Sequence, residues 1–524
     1  MKFVKALKLL SSRKHRSVRS TNLEKRGTIS DDTDTDISTR SLSVKRPSSI
    51  GIDLSPMKAT LMLEACHMRW VQQIEKNPNL QIAVIGGGIY GCHFANVFQK
   101  ACEAVELSCQ IKVNAKLTIF EKDAALFSQA SGKNSFRIHK GFHYPRTGNT
   151  RRMCYDDHGR FCQHYSHFFQ TTDHDEDTPA FAKVFAIAKD DRSKLDYEAM
   201  CNLLAGAKYR GRSSMWDEID GELWSEEIRQ SDDVVLKRNQ MEELGFNVDM
   251  IDGAFLVQAE PILYADKPRE WFTRKFTESP FVELVMGRRV DREDIREDDE
   301  SGNFLIHEEA FDLALNCTYN QAIPMTPANH VAFYDLCISV IVAEKPNSLN
   351  QPALSFGIFD GPFPSLEPYD FSDRKNLPDE LKQYSDLNLF QIFDVKLSSI
   401  GSCCDPEEAY KMMKNWETKK QEGSEDYQKI VQDIWDKCEL FFPRLGVDFQ
   451  LAGTWFALKT KVEDENASRP IIVVPDESVD NQGRFIQVFS SKLTSIFKAE
   501  EEVLDLIEDS EDCKEDKDTM KMCG

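Results

Sequence analysis

The short apolar run Gln81 to Ile85 feeds directly into Gly86-Gly87-Gly88-Ile89-Tyr90-Gly91, and this junction constrains the fold more than any other stretch. Gly86, Gly88 and Gly91 have the G-x-G-x-x-G spacing. In such a loop the first glycine permits the tight turn out of a strand. The second lets the backbone approach a pyrophosphate, and the third lets the following helix pack close to the strand. The helix expected from Ile89 to about Val105 directs its positive N-terminal end at the phosphates. A second strand, Lys116 to Phe120, ends in Glu121, whose carboxylate can accept hydrogen bonds from ribose hydroxyls. The interval from loop to acid is longer than the usual ~20 residues. Residues 106–115 read as an insertion that explains it. The unit is a strand, helix, strand site for a dinucleotide.

The 524 residues suggest two domains with tails. A formal net charge of −22 speaks against a nucleic-acid partner, which needs a basic footprint. No apolar run approaches the ~18 residues of a membrane span. The 14 cysteines show no CxxC pair and read as reduced, buried thiols. His158, His164 and His167 lack the companions of a metal site, so no metal is expected. The first 26 residues carry nine Lys or Arg and one acid. Such a head is expected to be disordered. It leaves two locations open, cytoplasmic or, if the head is a transit peptide, mitochondrial.

A βαβ start followed by strand-rich runs at 254–264, 281–317, 331–343 and 388–400 implies an α/β cofactor domain interleaved with a β-rich second domain. The expected division is a head at 1–57, a lead-in helix at 58–80 and an acidic tail at 507–524. The cofactor domain takes 81–165, 281–325 and 445–506, and the substrate domain 166–280 and 326–444. Residues 155–250 read as mostly helical. Asp360 to Tyr369 reads as a rigid Pro-constrained loop between strands.

The stretch after Glu121 narrows the cofactor. Ser131-Gly132-Lys133-Asn134, followed by Ile138-His139-Lys140-Gly141-Phe142-His143-Tyr144, resembles the FAD-binding loop of the D-amino-acid oxidase superfamily of flavoproteins. More closely it resembles the S/T-G-x-N…I-H-x-G-x-x-Y loop of L-2-hydroxyglutarate dehydrogenases. Phe311 to Thr318 is similar to the superfamily strand that returns to the cofactor domain. Phe489-Ser490-Ser491-Lys492-Leu493-Thr494 is similar to its last cofactor-contacting turn, with Ser491 where glycine is frequent. The resemblance implies FAD as cofactor and a Rossmann-like FAD-binding domain beside an antiparallel β-rich domain, α+β overall. It implies cofactor contacts at Gly86, Gly88, Ile89, Tyr90, Gly91, Glu121, Lys122, Ser131, Asn134, Lys492, Leu493 and Thr494. Covalent attachment through His139 or His143 also occurs in its pattern.

Flavin oxidation of a hydroxy acid needs a cation for the carboxylate, a base for the proton and an apolar wall. Arg137, His139, His143, Tyr144 and Arg146 supply such groups within ten residues. The expected activity is hydride transfer to FAD from a small carboxylate-bearing or amine-bearing molecule, a hydroxy acid or an amino acid. The electron acceptor is left open. Two alternatives remain at this point, a flavin-binding protein without turnover and an NAD-dependent dehydrogenase.

Overall fold

The computed structural model describes residues 55–134, 137–141, 144, 148–169, 182–189, 193, 195, 235–257, 260–297, 304–325, 332–346, 354–359, 361, 363–369, 377–462, 471–480 and 482–508. Residues 1–54 of the expected head, residues 509–524 of the expected acidic tail, His143 and Arg146 lie outside the described residues, whereas 55–57 and 507–508 are helical.

Helix α1 (Ser55–Lys76) leads into β1 (Gln81–Ile85), α2 (Ile89–Cys109), β2 (Lys116–Glu121) and α3 (Gly148–His164). Then come β3 (Ala182–Ala188), β4 (Val235–Leu236), β5 (Ile251–Val257) and α4 (Asp266–Thr277). Short strands follow: β6 (Val282–Met286), β7 (Ile295–Glu297), β8 (Phe304–Ile306), β9 (Glu309–Phe311) and β10 (Leu313–Asn316). Next are β11 (Ala332–Glu344), β12 (Leu354–Phe359), β13 (Pro364–Pro368), β14 (Leu389–Asp394) and β15 (Ser399–Cys403). The chain closes with α5 (Pro406–Glu422), α6 (Glu425–Phe441), β16 (Phe449–Val462), β17 (Ile471–Pro475), β18 (Phe485–Ser490) and α7 (496–508).

The strands form two large sheets. The first has the order β17-β18-β10-β1-β2-β6, parallel from β18 to β6. Its strands are buried apolar runs, as a sheet covered on both faces requires. Ile82, Val84, Leu117 and Ile119 pack against α2, with Phe94, Phe98 and Phe497 in the same core. The second sheet has the order β15-β11-β14-β13-β12-β3-β5-β4, with β16 also paired to β11. It is mainly antiparallel and alternates. Val184, Leu336, Ile338, Val340, Phe356, Leu366 and Ile392 point into one core, covered by α6 residues such as Ile434, Cys438 and Phe441. The intervening residues, Lys183, Ser355, Glu367 and Gln391, lie on the opposite face. This is the strict two-residue period of a strand.

Several expectations change. Helix α2 runs on to Cys109 and ends at Gln110 in left-handed backbone, φ 53°. A longer helix, more than an insertion, delays Glu121. The stretch expected as mostly helical contains β3. Pro364 to Pro368 is a buried strand between β12 and β14, with its prolines at its two ends. Strand β16 pairs along β11, so 449–462 sits in the second sheet. Phe272 and Phe276 of α4 sit in the first core.

The described cysteines are free thiols, most of them buried, and burial pushes Cys66, Cys102 and Cys162 up to about 12. Among the described residues no helix is long and apolar enough to cross a membrane.

A buried polar knot joins the first layer's helices. Glu500 on α7 accepts from the Trp70 indole at 3.0 Å and meets His93 Nε2 at 3.0 Å. His93 Nδ1 lies 2.8 Å from the Tyr165 hydroxyl. Replacing Glu500 by Leu strands two buried polar partners, which costs about 1–3 kcal/mol for each group left unmade. A urea titration of Glu500→Leu is expected to show a lower midpoint with an unchanged slope.

Candidate functional site

The glycine loop forms as its spacing requires. Gly86 has φ +107°, and its N–H donates to Phe120 O at 2.8 Å. At Gly91 a Cβ would stand 2.1 Å from Gly86 O and 2.9 Å from Val84 Cγ1. Gly91 therefore lets α2 close on β1. Gly88 is the N-cap of α2 and brings no side-chain cap, so the helix start turns backbone groups to the groove.

Glu121 closes the loop from the second strand. Its Oε2 accepts from Gly87 N at 2.7 Å and its Oε1 from Asp123 N at 2.9 Å. Burial raises its pKa, and the two N–H groups oppose that rise. Ser131 Oγ accepts from Ile89 N at 3.0 Å, which ties the 131–134 loop to the start of α2.

Two cavities meet at this loop. One, of about 700 Å³, is walled by Gly86, Glu121, Lys122, Arg288, Arg289 and Tyr410. The other, of about 1160 Å³, is walled by Ile89, Asn134, Arg137, His139, Lys459 and Lys492, among others. Gly88, Ala130, Ser131, Cys317 and Tyr319 line both, so together they make one groove across the loop. Among the described residues no Asp or Glu lines the second cavity, although the chain's formal charge is −22.

The second cavity rests on the polar face of the second sheet. The strand register sets Lys183 beside Ser355 and Glu367 beside Gln391. Gln391 Nε2 donates to Asn134 O at 2.7 Å and docks the loop onto the sheet. Ser355 Oγ donates to Glu367 Oε2 at 2.7 Å, and Lys183 pairs with Glu367 Oε1. Burial pulls the Lys183 pKa down, against the opposing pull of Glu367.

Arg137 joins this row through Nε to Glu367 Oε2 at 3.4 Å and through Nη1 to Glu260 O at 2.8 Å. Its Nη2 is buried and has no hydrogen-bond partner among the described residues. His139 Nδ1 lies 3.3 Å from Glu260 Oε2, and Glu260 Oε1 accepts from Lys140 N at 2.9 Å. Burial alone would raise the Glu260 carboxyl, but His139, Lys183 and the Lys140 N–H outweigh it and hold it at about 2.

The C-terminal turn completes the groove. Lys492, Leu493 and Thr494 line the second cavity, and Lys492 O accepts from the Tyr90 hydroxyl at 2.6 Å. Lys492 Nζ reaches the Tyr144 hydroxyl. Ser491 Oγ is buried at the same wall without a partner. Sequence reading missed Lys183, Glu260, Glu367 and Gln391 as parts of the site. For Lys183, Glu367 and Gln391 the signal was a polar residue alternating with apolar ones in a strand run, as in LFQIFD and PSLEP.

No protein-family model matches the chain. It is 23% identical over 435 residues to the FAD-dependent monooxygenase FPY4 of Fusarium mangiferae, covering 83% of this chain and 92% of that protein. The chain is similar in sequence to proteins named FAD-dependent monooxygenases. The FAD-dependent monooxygenase kojA of Aspergillus flavus is 24% identical over 443 residues, covering 82% of this chain and 86% of that protein. Among solved structures, glycine oxidase from Geobacillus kaustophilus aligns at a TM-score of 0.47 and 12% identity, over 82% of this chain and 95% of that one. The L-alpha-glycerophosphate oxidase of Mycoplasma pneumoniae, with FAD bound, aligns at 0.48 and 12%, over 82% and 94%. The named sequence relatives are FAD-dependent, the cofactor that the sequence resemblance implies. The narrower likeness to L-2-hydroxyglutarate dehydrogenases is not carried by these relatives.

Two measurements test this geometry. Gly91→Ala is expected to push α2 off β1, costing about 1–3 kcal/mol in urea denaturation and weakening dinucleotide binding. Asp157, which accepts from Ser495 Oγ at 2.8 Å beneath the C-terminal turn, is raised by burial to about 7. The folded state then holds a proton that the unfolded chain releases, so stability falls as pH rises from about 4 to about 7. Asp157→Asn is expected to flatten that slope in denaturation curves taken across the window.

Proposed function

We propose that this chain is an FAD-dependent oxidoreductase that takes a hydride from a small carboxylate-bearing substrate, a hydroxy acid or an amino acid. The observation that carries the substrate class is Arg137. Its side chain is only 3% exposed, lies on the cavity wall and keeps Nη2 without a partner. A buried guanidinium N–H left unmade is costly, and a carboxylate is its natural complement.

The groove suits FAD in its polar atoms. Glu121 and the glycine loop suit the ribose and pyrophosphate. The orphaned Ser491 Oγ, the Lys492 ammonium and the start of α7 suit a polar edge of the flavin ring. Bound FAD supplies the hydride acceptor.

This chain's own residues do the rest. Arg137 holds the carboxylate, steadied by Glu367 and the Glu260 carbonyl. His139 takes the substrate proton, and the Glu260 carboxylate at Nδ1 orients its ring and stabilises its charged form. Tyr144, bonded to Lys492, stands at the cavity edge. His143 and Arg146, outside the described residues, carry no assigned role in this reading.

Anaerobic mixing of the purified protein with a panel of α-hydroxy acids and amino acids is expected to bleach the visible flavin absorbance with at least one of them. No bleaching across the panel would sink the substrate class. With a substrate in hand, Arg137→Met is expected to lower kcat/KM roughly 10- to 100-fold, mainly through KM. Glu260→Gln is expected to lower kcat with FAD retained.

The relatives' name favours a second reading, monooxygenation, in which bound FAD would supply oxygen activation at the expense of an external two-electron reductant, one oxygen atom of dioxygen entering the product and the other leaving as water. Turnover under ¹⁸O₂ separates the two, since only oxygen insertion labels the product.

A further inference from the structure

Helix α5 belongs to the second sheet. Its N-terminus is capped by Asp405, which accepts from Glu408 N at 2.8 Å, and Ala409 and Trp416 bury its inner side. It packs against β11, β15 and β16. Yet Tyr410, one residue past Ala409, lines the other cavity, the one walled by the glycine loop, Glu121 and Lys122 of the first sheet.

Tyr410 is held there. Its hydroxyl donates to Gln321 Oε1 at 3.0 Å, and Gln321 Nε2 in turn donates to Leu458 O of β16 at 3.5 Å. Lys122 Nζ stands 5.8 Å from the ring centroid. The phenol is thus fixed at its far end, and the ring forms a wall opposite the first sheet.

The chemistry of that cavity names its occupant. A carboxylate at the end of the second strand of a βαβ unit receives ribose hydroxyls. Both Glu121 oxygens accept backbone N–H groups and retain further lone pairs for this. The space beyond it, toward Arg288 and Arg289, is therefore where an adenosine lies. An aromatic ring fixed at such a place offers its face to a base or sugar.

We propose that Tyr410 is a dinucleotide-binding residue that caps the adenosine, so that the cofactor is gripped by a helix of the second sheet as well as by the first. This rests on the FAD reading above, but ADP can read it without flavin.

The test measures dissociation constants of FAD, ADP and FMN for the full-length protein stripped of cofactor. In Tyr410→Leu, which keeps bulk and loses the ring, FAD and ADP are expected to bind roughly 10- to 100-fold more weakly, the size of one base–aromatic contact. FMN, which has no adenosine, is expected to bind as in wild type. Tyr410→Trp keeps an aromatic face and is expected to retain FAD affinity, with indole fluorescence quenched on binding, so it reads the contact even if the Leu variant folds poorly. Unchanged FAD and ADP affinities in Tyr410→Leu would overturn the proposal. So would a parallel loss of FMN affinity, or a Trp variant that binds FAD without quenching. ADP binding by a wild type that refuses FAD would overturn the flavin assignment and leave the Tyr410 contact standing. A wild type that binds neither ends both.

Discussion

The tight approach of α2 to β1 at Gly91 is the constraint on which the rest depends. A Cβ at Gly91 would stand 2.1 Å from Gly86 O, so only a residue without one lets the helix start this close. That approach aims the helix start at the groove, brings Ile89 N onto Ser131 Oγ, and so fixes where the 131–134 loop begins. From there the chain is pinned once more, by Gln391 on Asn134 O, before it presents Arg137 and His139. A loosened first contact displaces every later one.

The second sheet contributes a floor of unusual polarity. Lys183, Ser355, Glu367 and Gln391 form a buried polar row on a sheet whose other face is apolar. Burying such charges is expensive unless each is paired and hydrogen-bonded. Here Glu367 takes Ser355, Lys183 and Arg137 together. The pairing turns a costly row into a rigid mount for the loop, because no member can move without uncovering another's charge.

Local features were legible in the sequence and distant ones were not. The turn at Gly86 and the acid at Glu121 are each written in neighbouring residues, and each appears in the structure where the spacing put it. The length of α2 was misjudged because residues 106–109 carry little apolar periodicity; they continue the helix with 106–108 exposed. Strand β13 was read as a loop because prolines mark both its ends, where they interrupt no central pairing. Glu367 meets Arg137 across 230 residues, and β16 finds β11 across more than a hundred. No local pattern reports such partners. Glu260 was visible only as the residue before a proline, and its part in the site comes from His139 lying against it.

The groove is finished by residues made last. Ser491, Lys492 and Thr494 wall the cavity, and Glu500 ties the final helix to His93 and Trp70 near the start of the body. β1 itself waits for β10 on one flank. At about 5–20 residues per second, the roughly 400 residues between the glycine loop and Lys492 take on the order of 20 to 80 s to synthesise. During that time the nascent chain carries a glycine loop with no far wall to face it. Capture of the cofactor therefore waits until the Lys492 turn has been made, and a ribosome that stalls before it leaves a nascent chain with an open cradle.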